Sequence, residues 1–197
     1  DIQLVPNGCG VLVSQMRAGA RPDAYFSCDI SFMDAVEDLF GSPTNVSSND
    51  MIILAHNKMK GKINSLDDLT NEGIRVGTAH PEKSALGALT VRLLNHLKIN
   101  IEKNLLLNSA TGDFLVNQLR AGSLDAVIVY RSNALANPTT LNDAFIVNID
   151  DPMAVAIQPF AIGNNSGHKN LMMRLLDSLT GNESKSDFLK YGFKWEV

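Results

Sequence analysis

Two cysteines, Cys9 and Cys28, are all that this chain of 197 residues carries. They are too few for a disulfide scaffold or a structural zinc site of four sulfurs. An even pair is compatible with an oxidising compartment without demonstrating one. No apolar run approaches the eighteen or more residues of a membrane span. Positive charge is also scarce, with 17 Lys and Arg against 21 Asp and Glu for a net charge of −4. An extended nucleic-acid surface is therefore not expected, although a small anion can still be held by local N–H groups on an acidic protein. Internal repeats and low-complexity linkers are absent. So is a leader, since the chain opens directly in a strand-like run at Ile2-Gln3-Leu4-Val5. It therefore reads as a fragment whose beginning is missing, and the absent leader says nothing about export.

What remains is a soluble globular composition, 45% hydrophobic and 19% charged, long enough for one domain or two small ones. Strands and helices alternate throughout, which places the chain in the α/β class with mainly parallel sheet. Gly8-Cys9-Gly10 is a turn opening a short helix with Leu12 and Met16 on one face, which Gly19 and Pro22 break before a strand at Ala24-Tyr25-Phe26. A helix is expected over Phe32 to Phe40, closed by Gly41. Met51 to Ala55 is a continuous apolar strand, and Ser65-Leu66-Asp67-Asp68 is a capping box starting a short helix. After a strand at Gly73 to Gly77 and a polar loop from Thr78 to Gly87, Leu86, Leu89, Leu93 and Leu97 form the core stripe of a long helix. Leu105 to Leu107 is a strand. Ser109 to Asp113 starts a helix with Phe114, Leu115 and Leu119, and Ala126 to Tyr130 is the clearest buried strand in the chain. Strands near Phe145 to Ile149 and Ile157 to Ile162 precede two final helices, the last running from Glu183 to Tyr191 and capped by Gly192.

Three of these helix starts carry glycine, at Gly8-Cys9-Gly10, Ser84 to Gly87 and Thr111-Gly112. Helix starts present free N–H groups and the positive end of the helix dipole, which favour anions. The plainer alternative is that the glycines only permit tight strand–helix connections. No Lys or Arg recurs at these starts apart from Lys83, which is expected to face solvent.

In order along the chain, Gly10-x-Leu12 with Gln15-Met16-x-x-Gly19, Pro22 to Asp29, Ser65 to Leu69, His80-Pro81-Glu82 ahead of Gly87, Ala126 to Tyr130 and Lys190 to Phe193 resemble the periplasmic molybdate/tungstate-binding proteins of ABC importers. The resemblance covers essentially the whole chain. It implies a two-lobed periplasmic-binding-protein fold, type II-like, with the ligand in the cleft. Residues 1–50 plus 160–197 would form one lobe and 51–159 the other, with crossovers at Met51 to Ala55 and Gln158 to Ile162. It also implies that the family's first strand and helix, whose connecting loop usually supplies a serine ligand, are absent here.

By the same resemblance the oxyanion contacts fall at Cys9, Gly10, Leu86, Gly112 and Tyr130. Leu86 and Gly112 would act through backbone N–H and Tyr130 through its hydroxyl. Cys9 stands where the family usually has a hydroxyl residue, Cys28 replaces an alanine, and Asn133 sits where an aspartate is common. The expected function is an extracytoplasmic, periplasmic solute-binding protein, a monomer that takes a small oxyanion and delivers it to an ABC transporter permease. No cofactor, metal or catalysis is expected.

Several residues admit other readings. Tyr130 also reads as a core residue at a strand end. Cys9 reads as a free thiol, a disulfide partner of Cys28 or a ligand contact. Asp29 and Asp113 would repel an anion, so capping or solvent exposure is expected of them. Two other classes compete with the receptor: a thiol enzyme with Cys9 as nucleophile and His80 as base, and a transition-metal cleft built from Cys9, Cys28 and His80.

Overall fold

The computed structural model describes residues 1–195. In chain order the main elements are α1 (Cys9–Arg17), β1 (Ala24–Phe26), α2 (Ile30–Asp34), β2 (Thr44–His56), β3 (Val76–Ala79), α3 (Ala85–Leu97), β4 (Leu105–Ser109) and α4 (Gly112–Arg120). There follow β5 (Ala126–Tyr130), α5 (Arg131–Leu135), α6 (Thr140–Asp143), β6 (Ala144–Asn148), β7 (Val155–Ile162), α7 (Lys169–Leu179), α8 (Asn182–Lys190) and β8 (Lys194–Trp195). The class is mixed α/β and the fold two-lobed, as expected.

One strand links the halves. The pairing order is β1-β7-β2-β5-β3-β4, with β6 and β8 also pairing β2. Residues 44–50 of β2 pair with β7, and Ser47 and Ser48 also pair with β8. From Met51 onward its partners change to β5 on one side, and from Ile52 to β6 on the other. The changeover coincides with a change in composition. Ser47, Ser48 and Asn49 are buried polar residues, and the Ser47 hydroxyl donates to Gln158 Oε1 at 2.6 Å. Met51 to Ala55, by contrast, are all wholly buried.

The expectation of a mainly parallel sheet needs correction. Only β3 with β4 and β3 with β5 are parallel; every pairing of β2, and that of β1 with β7, is antiparallel. Parallel neighbours need a crossover helix, and α3 and α4 supply one on each side of β4. A long strand entering from the other half has no such constraint, and it runs opposite to the strands it meets.

The second half holds the larger core. Leu86, Leu89 and Leu93 of α3 and Leu115 and Leu119 of α4 pack on β5 and the apolar half of β2. Leu97 and Phe114 lie outside it, at 38% and 48% exposure. The first half has a smaller core of Met16, Tyr25, Met33, Val36, Phe40 and Ala161, with Leu12 packed against it.

Two local expectations are also revised. The run Ile2 to Val5 forms no strand, because no neighbour pairs with it, and Ile2, Leu4 and Val5 are exposed. The helix expected over Phe32 to Phe40 is instead α2 followed by a 3-10 turn at Glu37–Leu39. That break still buries Met33, Val36 and Phe40. The Ser65–Asp68 box is present, with Asp68 Oδ2 accepting from Ser65 N at 3.0 Å, ahead of a 3-10 turn rather than a full α-helix.

Asp125, just before β5, ties three segments together. Its carboxylate accepts from the Arg75 backbone N–H at 2.9 Å and from Arg75 Nε at 3.0 Å, and lies 2.8 Å from Lys58 Nζ. Burial pushes this carboxyl up, but the hydrogen bonds from Arg75 and Lys58 outweigh it and hold it well below the usual carboxylate range. A lowered folded value contributes stability above the unfolded value of about 3.9, lost as pH falls toward the folded one. Asp125→Asn should therefore cost about 2 kcal/mol at neutral pH, since its cationic partners are half-exposed. Urea unfolding should show the gap to the unchanged protein narrowing below about pH 4.

Candidate anion-binding site

Three helices begin at one place. A Cβ built on Gly8, the residue capping α1, would lie 2.5 Å from the carbonyl oxygen of Lys83 and 3.4 Å from that of Ala110. Lys83 directly precedes Ser84, the cap of α3, and Ala110 directly precedes Thr111, the cap of α4. Gly10 packs as closely on the Glu82 carbonyl, and its missing Cβ would lie 3.1 Å from the Lys83 carbonyl carbon. At both positions backbone meets backbone, so only glycine fits. This approach brings α1, from the first half, onto the starts of α3 and α4, from the second.

None of these three starts is capped by a side chain. The first-turn N–H groups of Cys9, Gly10, Leu86 and Gly112 have no acceptor within their own helices. By contrast α2 is capped, with Asp29 Oδ1 accepting from Ser31 N at 3.1 Å. Cys9, Gly10, Leu86 and Gly112 are all buried.

Tyr130 adds a hydroxyl from the end of β5. The residue is 8% exposed, and among the described residues its hydroxyl has no hydrogen-bond partner. Burial, with the charge of Asp29 adding to it and that of Arg92 opposing, pushes this hydroxyl far above the ordinary tyrosine value. It is a neutral donor at any physiological pH. Asp29 itself is buried, with Arg92 Nη2 at 3.7 Å.

The cysteines are bonded to each other, their Cα atoms 6.5 Å apart. The bridge pins the start of α1 to the turn after β1, where the Cys28 N–H also donates toward Cys9 Sγ at 3.2 Å. Neither sulfur is a thiol, so the thiol-enzyme reading and the metal reading through Cys9, Cys28 and His80 both fall. His80 Nδ1 accepts from the Glu82 N–H at 3.2 Å, closing its own turn. Among the described residues, no cluster of three His, Cys, Asp or Glu side chains has the geometry of a metal site.

The other expectations can be placed as well. Lys83 and Asp113 are exposed, and Asp29 serves as a cap. The structure thus brings Cys9 and Gly10 to the starts of α3 and α4, the helices carrying Leu86 and Gly112. Sequence reasoning missed the Asp29–Arg92 pair and left the disulfide open. It also took Asn133 only as a departure from a pattern, whereas its side chain joins Tyr130 to Asp113. The two best-defined surface hollows lie elsewhere, one beside Arg21 and Phe40, the other beside Arg120 and Thr140. The helix starts are packed too tightly against one another to leave an open hollow.

Residues 1–194 match the family profile described as bacterial extracellular solute-binding protein. The molybdate-binding protein ModA of Mycobacterium tuberculosis is 33% identical over 135 residues, which are 67% of this chain and 51% of that protein. The chain thus spans about half the length of the curated relatives it matches. Among solved structures, the periplasmic molybdate-binding protein of Azotobacter vinelandii superposes with a TM-score of 0.80 at 14% identity, over 97% of this chain and 86% of that one. A periplasmic thiamin-binding protein superposes with a TM-score of 0.84 at 13% identity, over 98% of this chain and 72% of that one. At such identities the likeness is one of fold. With the family profile matched along almost its entire length, this chain belongs to the bacterial extracellular solute-binding proteins.

Proposed function

We propose that this chain is the solute-capturing component of an ABC importer, acting outside the cytoplasm, and that it binds a tetrahedral oxyanion of the molybdate and tungstate class. The observation that carries the reading is the meeting of Gly8, Lys83 and Ala110, which gathers three uncapped helix starts beside the unpartnered hydroxyl of Tyr130. The likeness to molybdate-binding relatives supports the same ligand class.

The mechanism follows from the donors. Backbone N–H groups of Cys9, Gly10, Leu86 and Gly112 and the Tyr130 hydroxyl replace the hydration shell of the dianion. The helix dipoles supply favourable potential without a formal cation. A rigid ring of donors selects by size, because a smaller anion leaves some of them unpaired. The lobes, taken as 1–50 with 160–197 and 51–159, close on the anion through the glycine contacts. The closed monomer then presents it to a membrane permease. The ligand leaves unchanged, and the protein is a receptor rather than an enzyme. Among the described residues no helix is long and apolar enough to cross a membrane, so in this reading the permease supplies the passage.

Calorimetric titration with molybdate, tungstate, sulfate and phosphate tests this. Saturable binding of one molybdate or tungstate per chain is expected, with sulfate weaker; no binding of any of the four would sink the reading. A hydrogen bond to a charged ligand contributes about 1.5–3 kcal/mol. Tyr130→Phe should therefore weaken molybdate binding by about one to two powers of ten, at about 1.4 kcal/mol per tenfold. Lys83→Ala should change it much less. The opposite ranking would make the site a cationic clamp.

Gly10→Ala places a methyl group against the Glu82 carbonyl and should hold the halves apart. An affinity loss of about tenfold or more is expected in the same titration. Unchanged affinity would show that this contact is not part of the bound form.

A further inference from the structure

Asn133, the third residue of α5, touches both parts of the second half's donor set. Its Oδ1 accepts the Tyr130 backbone N–H at 3.1 Å. Its Nδ2 donates to Asp113 Oδ1, in the first turn of α4, at 2.9 Å. Its side chain also lies flat against Gly112, where a Cβ would come within 2.7 Å of Asn133 Cγ. One amide thus spends its acceptor on the end of β5 and its donor on the start of α4, and fills the space a larger residue at 112 would need.

We propose that Asn133 is a positioning residue that fixes the α4 start and Tyr130 as one rigid unit, and that its neutral amide is what lets Asp113 lie beside an anion site. The proposal rests on the reading of Gly112 and Tyr130 as ligand contacts.

The charges around this amide set the sign of any substitution. From α4 it faces Asp113, with Arg120 on the rim of the same hollow. Arg120 is engaged by Asp143 at 3.5 Å and by Thr139 Oγ1 at 2.9 Å. On α5, Arg131 turns away toward Asp50 and Asn148. Beyond Tyr130 stand Asp29 and Arg92. An aspartate at 133 keeps the acceptor for Tyr130 N–H but replaces the donor facing Asp113 with a second carboxylate. Like charges at that range resist ionising together. Such a variant is nearly neutral at the contact when protonated and adds negative charge beside the α4 start when ionised.

The test uses Asn133→Asp and Asn133→Ala with two readouts. In the ligand-free protein, amide hydrogen exchange at Tyr130 should speed up by about tenfold in Asn133→Ala, which lacks the acceptor, and stay near the unchanged protein in Asn133→Asp. In calorimetry with molybdate, Asn133→Ala should lose about tenfold in affinity at both about pH 6 and about pH 8.5. Asn133→Asp should bind nearly normally at about pH 6 and lose tenfold or more at about pH 8.5, relative to the unchanged protein at each pH. Unaltered exchange at Tyr130 in Asn133→Ala, or an Asn133→Asp loss that is the same at both pH values, overturns the proposal. If the unchanged protein binds no oxyanion, the functional reading falls, and hydrogen exchange alone still decides whether Asn133 clamps the two segments.

Discussion

Backbone pressed on backbone is the constraint from which the rest of the arrangement follows. Gly8 and Gly10 meet the carbonyls of Glu82 and Lys83 with no side chain between them. That contact fixes the separation of the two halves at the one place where their helix starts face each other. Any side chain there would open the gap, spread the N–H groups and admit water among them. The disulfide between Cys9 and Cys28 works toward the same end by fixing α1 against the first half's own sheet. When the halves move, the α1 start therefore moves with β1 rather than independently.

The halves are joined through a strand whose character changes along its length. Between Ser47 and Asn49, β2 buries polar side chains that bond to their neighbours, Ser47 to Gln158 and Asn49 to Ser132. From Met51 it is wholly apolar and locked into the larger core. Hydrogen-bonded polar groups hold a geometry through a few directional bonds, whereas close-packed side chains resist any displacement. The polar stretch is thus the natural place for the halves to turn relative to one another. Its position at the changeover of β2's partners fits that role.

Much of the second half was legible in the sequence because its signals are strong and local. Five consecutive apolar residues at Ala126 to Tyr130, and leucines at 86, 89 and 93, leave little choice of element or face. The site was legible only through glycine placement and resemblance. Uncapped helix starts announce themselves by what they lack, and the meeting of three of them is a tertiary fact. Strand direction was misjudged because alternation of strands and helices suggests parallel neighbours, and nothing local marks β2 as a strand that passes between halves. The Ile2 to Val5 run shows the reverse failure, since an apolar pattern without a pairing partner makes no strand. The disulfide was left open because spacing alone does not say whether two sulfurs meet.

The electrostatics of the site follow from keeping formal charge at one remove. Asp29 is the buried carboxylate nearest Tyr130, and it is held by Ser31 at the cap of α2 and by Arg92. Asp113 is turned to solvent and to the amide of Asn133. Each acidic group thus has a donor that binds its oxygens, so the field an anion meets is dominated by N–H dipoles and a neutral hydroxyl. Such a field favours a doubly charged ligand without the strong, undirected pull of an ammonium or guanidinium group. Directed dipoles discriminate by where the oxygens lie, and an unfilled donor costs about 1–3 kcal/mol when buried. Selectivity among oxyanions of equal charge then comes from oxygen positions and size, which the glycine contact and the Asn133 amide hold in place.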